Sequence, residues 1–500
     1  MSGAGWSILG IDVGTTAVKV ALFGADGQPV RTVATGHEMT RRHPSWAEQD
    51  PREWWAGCLR GIEEISADGA VGTVRAVGVT SQVNTHVFVD ARLRPLLPAI
   101  TWQDQRCAEI ARELNREVAA EHRAEIWGRS YDFDASGLIP RVVWVARNAP
   151  EVWRETRWVL SPKDYINALL TGVVASDGMS SIGLVDASGE RYLQGAVELV
   201  DGLGERLPPL RHATDPLGPV TDSASSRLGA AVAVVGTMDA LSEMYACGLT
   251  VPGRGMISCG TSLVVAGAAE VSVPTAGIVT FPPSAGVIIH AGPTQAGGDA
   301  LRWWSRASGS RVARVLADAA AAAPGASGVV FTPHLMGERA PLWDSAVRGS
   351  FLGLSTATTG ADLGRAVLEG VAMSGRQVLE AVESACGKPL ESITFSGGGS
   401  KSELWAQIFA DVLGRPVQRL ATRDYSAVLG AALLGSIGAG IHADLATATA
   451  GTTTIDRVFG PDTGTTALLD PLFEVYRDSY RQLREAHSKL ETWRSRTPGV

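Results

Sequence analysis

The chain carries the same local pattern twice: an apolar strand, a turn of small and hydroxylated residues, and a second apolar strand. The first copy spans residues 8–23 around the turn 14–16, and the second starts near residue 254 around the turn 260–262. A pattern repeated at such separation indicates two domains of similar topology, each opening with a hairpin. Because a helical pattern and a strand at 74–79 follow the first hairpin, we expect an α/β fold.

Length and composition fit this organisation. With 500 residues the chain exceeds what one compact core usually holds, so at least two domains are expected. It is 45% hydrophobic and 19% charged, which supplies enough apolar side chains for large cores. Its net charge of -8 makes it a poor nucleic-acid binder, because duplex binding depends on clustered lysine and arginine.

Cysteine usage and the N-terminal segment indicate where the protein works. The five cysteines are odd in number and none has CxxC spacing, which favours neither a disulfide framework nor a zinc site. No basic region precedes the first apolar run, and no uncharged apolar run reaches about 18 residues. We therefore expect a cytoplasmic protein that acts on a small molecule and contacts neither a membrane nor nucleic acid, with a homodimer as its candidate assembly.

The first turn has the chemistry of a phosphate site. Gly14 lets a ligand approach the backbone closely, while Thr15 and Thr16 offer N–H and hydroxyl groups to phosphate oxygens. Lys19 on the returning strand adds positive charge, and Asp12 at the strand end can hold Mg²⁺ directly or through water. The pattern is not a Walker A loop, and the competing interpretation is an ordinary hairpin turn.

Two further segments place reactive groups directly after strands. Asp239 follows the apolar strand 231–235, where α/β folds place active sites, so its carboxylate can accept a proton from a hydroxyl. A helix N-cap is the competing interpretation of this aspartate. The glycine-rich turn 396–400 lets backbone lie against a base or a phosphate, although its spacing is not that of a dinucleotide site.

Together these motifs resemble the FGGY carbohydrate kinases of the actin-like ATPase superfamily. The resemblance runs from about residue 8 to about residue 440, and it is carried by PHLMGERAP at 333–341, GSFLGL at 349–354, SGGGSKSELW at 396–405 and the small-residue helix in 425–440. SWAEQDP at 45–51 and SPKDY at 161–165 are similar to xylulose-type members. The family implies an α/β fold of two actin-like (ribonuclease H-like) domains with a cleft between them.

The resemblance also implies roles for individual residues. Asp239 falls on the catalytic base, and Asp12 and Asp239 fall on the Mg²⁺ site. The positions that fall on the ATP site are Gly14, Thr15, Thr16, Lys19, Gly260, Thr261, Ser262, Gly298, Arg302, Gly398, Gly399 and Ser402. The positions that fall near the sugar are Gln82, Asn84, His86, Trp102, Asp104 and Asp239.

The family's organisation implies a sugar- and phosphate-binding domain over 1–242, a nucleotide-binding domain over 243–455, and a helical extension over 456–500 that packs back on the body. In the implied phosphoryl transfer, Asp239 removes the proton of the acceptor hydroxyl, for which an aspartate near its usual pKa of about 4 suffices. We expect the two domains to close around ATP and exclude water.

One segment departs from the family pattern and bears on the acceptor. Xylulose kinases carry Gln-Met-His-Gly, and glycerol kinases Gln-Arg-Glu-Thr, where this chain has Gln82-Val83-Asn84-Thr85. On a strand, Asn84 and His86 would share one face toward the sugar; alternatively, Asn84 caps the strand and His86 is a core histidine. We expect D-xylulose or a related ketose as the acceptor, with a glycerol- or erythritol-type polyol as the alternative.

Two other classes of protein fit the sequence less well. A non-enzymatic actin-like binding protein could share the fold and the phosphate turns, but it has no need for Asp239 combined with the C-terminal family motif. A sugar-responsive DNA-binding regulator would need a helix-turn-helix module, whereas this chain begins directly in its first strand.

Overall fold

A computed structural model of the chain describes residues 6–24, 27–67, 73–119, 122–123, 132–181, 183–221, 227–422 and 424–496. By its internal packing the chain divides into two units, residues 1–246 with 425–452 and residues 247–424 with 453–500. Each unit combines a mixed sheet with helices, which confirms the α/β two-domain class. Among the described residues, no helix has both the length and the apolar character needed to cross a bilayer.

The strands of the first unit are β1 (Ser7–Val13), β2 (Ala17–Phe23), β3 (Pro29–Gly36), β4 (Glu48–Gln49), β5 (Val74–Ser81), β6 (Val87–Val89), β7 (Ala99–Ile100), β8 (Trp158–Leu160), β9 (Ser176–Asp177), β10 (Leu210–Arg211), β11 (Pro216–Pro219), β12 (Val232–Val234) and β13 (Thr237–Met238). Those of the second unit are β14 (Arg254–Cys259), β15 (Leu263–Ala269), β16 (Val279–Thr280), β17 (Ile288–Pro293), β18 (Val330–Thr332), β19 (Ser350–Leu352), β20 (Ser392–Ser396), β21 (Val417–Leu420) and β22 (Ile455–Phe459).

The helices of the first unit's main segment are α1 (Pro51–Ser66), α2 (Ala108–Glu117), α3 (Leu138–Asn148), α4 (Pro150–Glu155), α5 (Pro162–Thr171), α6 (Gln194–Val197) and α7 (Asp239–Ala246). The second unit contains α8 (Gly298–Ala307), α9 (Val312–Ala321), α10 (Gly360–Cys386), α11 (Glu403–Leu413) and α14 (Thr463–Arg496). Helices α12 (Ser426–Gly438) and α13 (Leu445–Ala450) lie between α11 and α14 in sequence but belong to the first unit.

The two large sheets share one topology. The order is β11-β12-β5-β1-β2-β3 in the first, where β13 also pairs β5, and β16-β17-β15-β14-β20-β21-β22 in the second. In both, an antiparallel hairpin (β1-β2 or β14-β15) pairs with an antiparallel strand on one side (β3 or β17) and with a parallel strand on the other (β5 or β20). The repeated hairpin predicted from the sequence is therefore confirmed.

Helix α12 packs on the first sheet although it lies between β21 and β22 of the second sheet in sequence. A Cβ on Gly78 of β5 would lie 1.7 Å from the carbonyl oxygen of Ala431, and one on Gly10 of β1 would lie 2.2 Å from that of Val428. Only glycine lets the helix backbone approach the strands this closely. The expected second domain over 243–455 therefore differs from the structure, in which 425–452 packs with the first unit.

Helix α14 covers part of the second unit. Phe473 and Tyr476 are buried in that unit's core, and the guanidinium of Arg376 lies 4.2 Å from the centre of the Phe473 ring. The start of the expected extension at 456 lies inside β22, which pairs with β21 in the sheet. The helix itself begins at Thr463.

Candidate active site

Three strands end side by side at one edge of the first unit's sheet. Ser81, at the end of β5, is paired in parallel register with the last residues of both β1 and β13. The segments that follow these strands are the turn 14–16, the segment 82–86 and Asp239. The phosphate, acceptor and base residues predicted in this unit therefore lie at a common edge.

The first turn is held by side chains from other parts of the same unit. The Gly14 N–H donates to the carbonyl of Ala17 at 3.1 Å and closes the turn. Nε2 of Gln49 donates to the carbonyl of Thr15 at 2.6 Å, and Nε1 of Trp102 donates to the hydroxyl of Thr15 at 3.0 Å. In the bond from Trp102, the Thr15 hydroxyl acts only as an acceptor. Its own O–H can therefore still donate to an anionic ligand.

Asp239 is the first residue of α7, and its Oδ1 accepts a hydrogen bond from the N–H of Ala240 at 2.7 Å. Burial, and secondly the negative charge of Asp12, raise the pKa of Asp239 from 3.8 to about 8. The expectation of a base with its usual pKa is therefore wrong, because the burial that mainly raises the pKa cannot be read from the sequence. A carboxyl group with this pKa exchanges its proton near neutral pH, as a general base must.

Asp12 is that second carboxylate, and Lys19 faces it across the β1-β2 hairpin. Burial raises the pKa of Asp12 to about 6, Lys19 opposes the rise and Glu243 adds to it. Oδ1 of Asp12 is buried without a hydrogen-bond partner among the described residues. Two carboxylates with raised pKa values favour a bound cation, and oxygen ligands of this kind suit Mg²⁺.

The described residues contain no group of three or more His, Cys, Asp or Glu side chains placed to hold a metal ion. Mg²⁺ sites of phosphoryl-transfer enzymes use one or two carboxylates, with water and substrate phosphates as the other ligands. Asp12 and Asp239 therefore suffice as the protein's share of such a site.

In the second unit, the turn 260–262 is joined to the start of helix α8. The Gly298 N–H donates to the carbonyl of Gly260 at 2.8 Å, and a Cβ on Gly298 would lie 2.6 Å from that oxygen. The Arg302 guanidinium donates to the hydroxyl of Thr261 at 3.0 Å. The structure thus brings these predicted residues together beside a helix N-terminus, where N–H groups and the helix dipole favour an anion.

The glycine-rich turn lies next to this second turn, because β20 is the parallel neighbour of β14. Gly397 has a φ of 75°, and a Cβ there would lie 2.8 Å from the backbone of Cys259. A Cβ on Gly398 would meet nothing within 4 Å, so this position leaves room beside the backbone. Ser402 caps α11 by accepting a hydrogen bond from the Trp405 N–H at 3.2 Å.

The segment 82–86 differs from the strand expected there. β5 ends at Ser81, and Asn84 lies in a turn with a φ of 51°, so Asn84 and His86 do not share a strand face. The exposed Asn84 donates to the hydroxyl of Ser136 at 3.2 Å. Asparagine adopts this left-handed conformation more readily than most residues because its side chain can bond locally.

His86 has a partner inside the protein. Its Nδ1 lies 2.9 Å from the guanidinium of Arg141, which also donates to the carbonyls of Asn84 and Ile100. Burial, and secondly the charge of Arg141, hold the pKa of His86 well below its usual value, so the ring is neutral. These contacts favour the interpretation of His86 as a hydrogen-bonded core histidine.

The carboxylate of Asp104 is also hydrogen-bonded within the protein. The residue is fully buried, and its carboxylate accepts hydrogen bonds from the Ala47 N–H at 2.6 Å, the Arg106 N–H at 2.9 Å and the Arg106 guanidinium at 2.8 Å. That guanidinium lies 3.7 Å from the centre of the Trp46 ring. The carboxylate is thus committed to holding Arg106, which removes it from the groups free to contact a sugar.

A cavity of about 70 Å³ lies beside the acceptor segment and is lined by Gln82, Asn84 and His86. Trp102 and Asp104 do not line it. Sequence reasoning missed several lining residues, among them Ser180 and Tyr192, because they lie in irregular segments with no periodic pattern. Oγ of Ser180 and Oε1 of Gln82 are buried without partners in the part of the chain that the structure describes.

Comparison with known proteins agrees with this geometry. Residues 7–242 match the N-terminal domain, and residues 255–439 the C-terminal domain, of the FGGY family of carbohydrate kinases. The chain is 30% identical to the xylulose kinase of Escherichia coli, over 95% of this chain and 99% of that one. It is also 30% identical to the glycerol kinase of Citrifermentans bemidjiense, over 87% of this chain and 90% of that one.

Solved structures give the same result. The crystal structure of the xylulose kinase from Rhodospirillum rubrum superimposes with a TM-score of 0.86 at 28% identity, over 96% of this chain and 100% of that one. The fold of this chain, with its two sheets and two hairpins, is thus an established one. The chain belongs to the FGGY family of carbohydrate kinases, enzymes that transfer a phosphoryl group from ATP to a carbohydrate hydroxyl.

Proposed function

We propose that this kinase phosphorylates D-xylulose or a related ketose, with Mg²⁺ as the metal and Asp239 as the general base. The observation that carries the chemistry is the pair of carboxylates, Asp239 and Asp12, at the edge where three strands of the first unit end. Similarity to the xylulose kinase of Escherichia coli over nearly the whole chain supports a ketose as the acceptor.

The proposed reaction needs little covalent chemistry from the protein. The acceptor hydroxyl oxygen bonds to the γ-phosphorus, the bond from that phosphorus to the β–γ bridging oxygen breaks, and ADP leaves. Asp239 accepts the hydroxyl proton, for which its carboxyl must first be ionised. Mg²⁺ held by Asp12 and Asp239 would neutralise charge on the phosphates, and its positive charge would keep Asp239 ionised at neutral pH.

The remaining residues are proposed to hold the two substrates in place. Thr15 and Thr16 in the first unit, and Thr261 with Arg302 in the second, donate hydrogen bonds to phosphate oxygens. The open position beside Gly398 accommodates the adenosine. This division assigns acceptor binding and proton removal to the first unit, and most of the nucleotide contacts to the second.

The acceptor segment favours an uncharged polar ligand. Val83 and Asn84 replace the charged pair that glycerol kinases carry, and the cavity beside them presents the unpartnered oxygens of Gln82 and Ser180. Hydroxyl groups of a ketose can donate to both oxygens. Glycerol is the second candidate, because the chain is also 30% identical to the glycerol kinase of Citrifermentans bemidjiense, although over a smaller share of its length.

A screen of ADP release from the purified protein tests this proposal. ATP and Mg²⁺ are supplied with a panel of ketoses, aldoses and polyols, and an Asp239→Asn variant serves as the control for sugar-dependent turnover. We expect a ketose to give a kcat/KM at least about tenfold above that of glycerol, as one well-placed hydrogen bond allows. Glycerol as the best acceptor, or ATP hydrolysis that no sugar stimulates, would contradict it.

A further inference from the structure

Two buried glutamines connect the phosphate turn to the acceptor segment within the first unit. Nε2 of Gln49 donates to the carbonyl of Thr15 at 2.6 Å, and Nε2 of Gln82 donates to Oε1 of Gln49 at 2.8 Å. The Gln49 and Gln82 side chains belong to residues only 1% and 2% exposed, so water does not compete for these bonds. The chain of bonds runs from the phosphate turn, through β4, to the first residue after β5.

The direction of these hydrogen bonds is determined by chemistry. A backbone carbonyl only accepts, so the Gln49 group that faces Thr15 must be its NH₂. The Gln49 oxygen must then face Gln82, which has to present its own NH₂ in return. Gln82 therefore cannot turn its amide around without breaking a buried bond, and its Oε1 is held on the opposite side.

That oxygen has no partner among the described residues, although it is buried and Gln82 lines the cavity beside the acceptor segment. A buried acceptor without a partner costs free energy unless a ligand supplies a donor. Sugars carry hydroxyl groups that can supply it. The geometry thus holds Oε1 of Gln82 as an oriented acceptor for whatever occupies the cavity.

We propose that Gln49 is a positioning residue that orients Gln82, so that Oε1 of Gln82 accepts a hydrogen bond from one hydroxyl of the sugar. This inference rests on the proposed sugar kinase function and adds to it Gln49, a positioning residue outside the acceptor segment 82–86. Trp102 makes a second link between the two segments: its backbone N–H donates to the hydroxyl of Thr85 at 3.2 Å and its ring N–H donates to the hydroxyl of Thr15 at 3.0 Å.

The test measures sugar binding by calorimetry, together with turnover. The ligands are the preferred ketose and a set of analogues in which each hydroxyl is replaced in turn by hydrogen or fluorine, neither of which can donate. The wild-type protein is expected to bind one analogue about 10- to 100-fold more weakly than the parent sugar, the effect of one buried hydrogen bond. Gln82→Met should reduce this discrimination to about threefold or less.

Three further variants separate positioning from packing. Gln49→Met removes both bonds and frees the Gln82 amide to rotate, so discrimination should again fall to about threefold or less. Gln49→Glu can still accept from Gln82, and in its protonated form can donate to Thr15, so it should keep discrimination above about tenfold. Gln105→Met, at an exposed position, is the matched control and should behave as the wild type.

Wild-type discrimination in Gln49→Met, or its equal loss in the Glu and Met variants, would overturn the proposal. If Gln49→Met does not fold, the calorimetric result for Gln82→Met is decisive. Loss of discrimination between the sugar and its analogues in that variant supports the proposal, and wild-type discrimination overturns it. A wild-type protein that binds the sugar without turnover would refute the proposed function alone, because the calorimetric measurements test the roles of Gln49 and Gln82 independently of turnover. Failure to bind any sugar would overturn both.

Discussion

Replacing Asp239 by asparagine should separate the chemistry of the site from the stability of the fold. The variant keeps the size of the side chain and the oxygen that accepts from the Ala240 N–H at 2.7 Å. It removes the group proposed to take the acceptor proton, so turnover should fall by about 10²–10⁴-fold. At the same time it removes one of two neighbouring buried carboxylates, and the folded protein should therefore become more stable.

The magnitude of the stability gain follows from the pKa of Asp239. Burial and Asp12 raise it from 3.8 to about 8, so the folded state binds more protons than the unfolded state between those two pH values. The wild-type free energy of unfolding therefore decreases as the pH rises through this window, by at most about 6 kcal/mol for an isolated group. We expect about 2–3 kcal/mol, because Asp12 titrates with it and the new amide must find a partner.

Urea unfolding of the wild type and of Asp239→Asn, at pH 4 and pH 8, measures this effect. The gain should be small at pH 4, where the carboxyl is protonated in the folded state and about half protonated in the unfolded state, and should be nearly complete at pH 8. Asp201→Asn, at an exposed position of the same unit, is the control and should change neither stability nor turnover. A variant with near-normal turnover, or one that is less stable than the wild type at pH 8, would refute the reasoning.

Three other consequences follow from the geometry. First, kcat/KM for ATP, which reports the free enzyme, should rise with pH and level off near pH 8, and Asp12→Asn should move this break to lower pH because it removes a negative charge beside Asp239; a pH-independent profile between pH 6 and 9 would contradict the assignment of the base. Second, Gly298→Ala places a Cβ 2.6 Å from the carbonyl oxygen of Gly260, so KM for ATP should rise about tenfold or more while the affinity for sugar, measured by calorimetry, stays unchanged; Gly460→Ala, at a position without a positive φ whose Cβ would meet nothing within 4 Å, is the control for changes that are not local. Third, Lys163→Met leaves Asp164 and Asp177 buried without the ammonium that lies 2.5 and 2.9 Å from them, and should lower the free energy of unfolding at pH 7 by about 3–5 kcal/mol; an unchanged urea midpoint would show that the buried ions are not coupled.

Much of the architecture could be predicted from the sequence because it is local. The apolar strands and the hydroxylated turns at 14–16 and 260–262 recur with the same layout, and the topology of both sheets confirms the repeat. The strand before Asp239 and the glycine-rich turn after β20 were also recognisable from short segments. Alternating strands and helices then left few ways to arrange the sheets.

The errors concern contacts between distant parts of the chain. Helix α12 packs on the first sheet because Gly10 and Gly78 leave space for it, a relation that no local pattern expresses. Asp104 was assigned to the sugar, whereas its oxygens are taken by Ala47 and Arg106. A polar residue near a site is free for a ligand only when its own hydrogen bonds are unfilled, and that depends on the fold.

The prediction for the segment after β5 was wrong for a different reason. The prediction places it on a strand, but the strand ends at Ser81 and Asn84 turns the chain in a left-handed conformation. The raised pKa of Asp239 was also beyond prediction, since it needs both burial and the nearness of Asp12. These departures from local rules all occur at the candidate site, where function rather than folding selects the residues.

The most direct test of the account is the identification of the phosphorylated product. The purified protein is incubated with ATP, Mg²⁺ and D-xylulose, and ³¹P NMR follows ATP, ADP and any sugar phosphate in the same sample. The account predicts a sugar phosphomonoester formed in equal amount to ADP, with both signals lost in Asp239→Asn. ADP without a sugar phosphate, or no reaction with this or any other ketose while a polyol is phosphorylated, would contradict it.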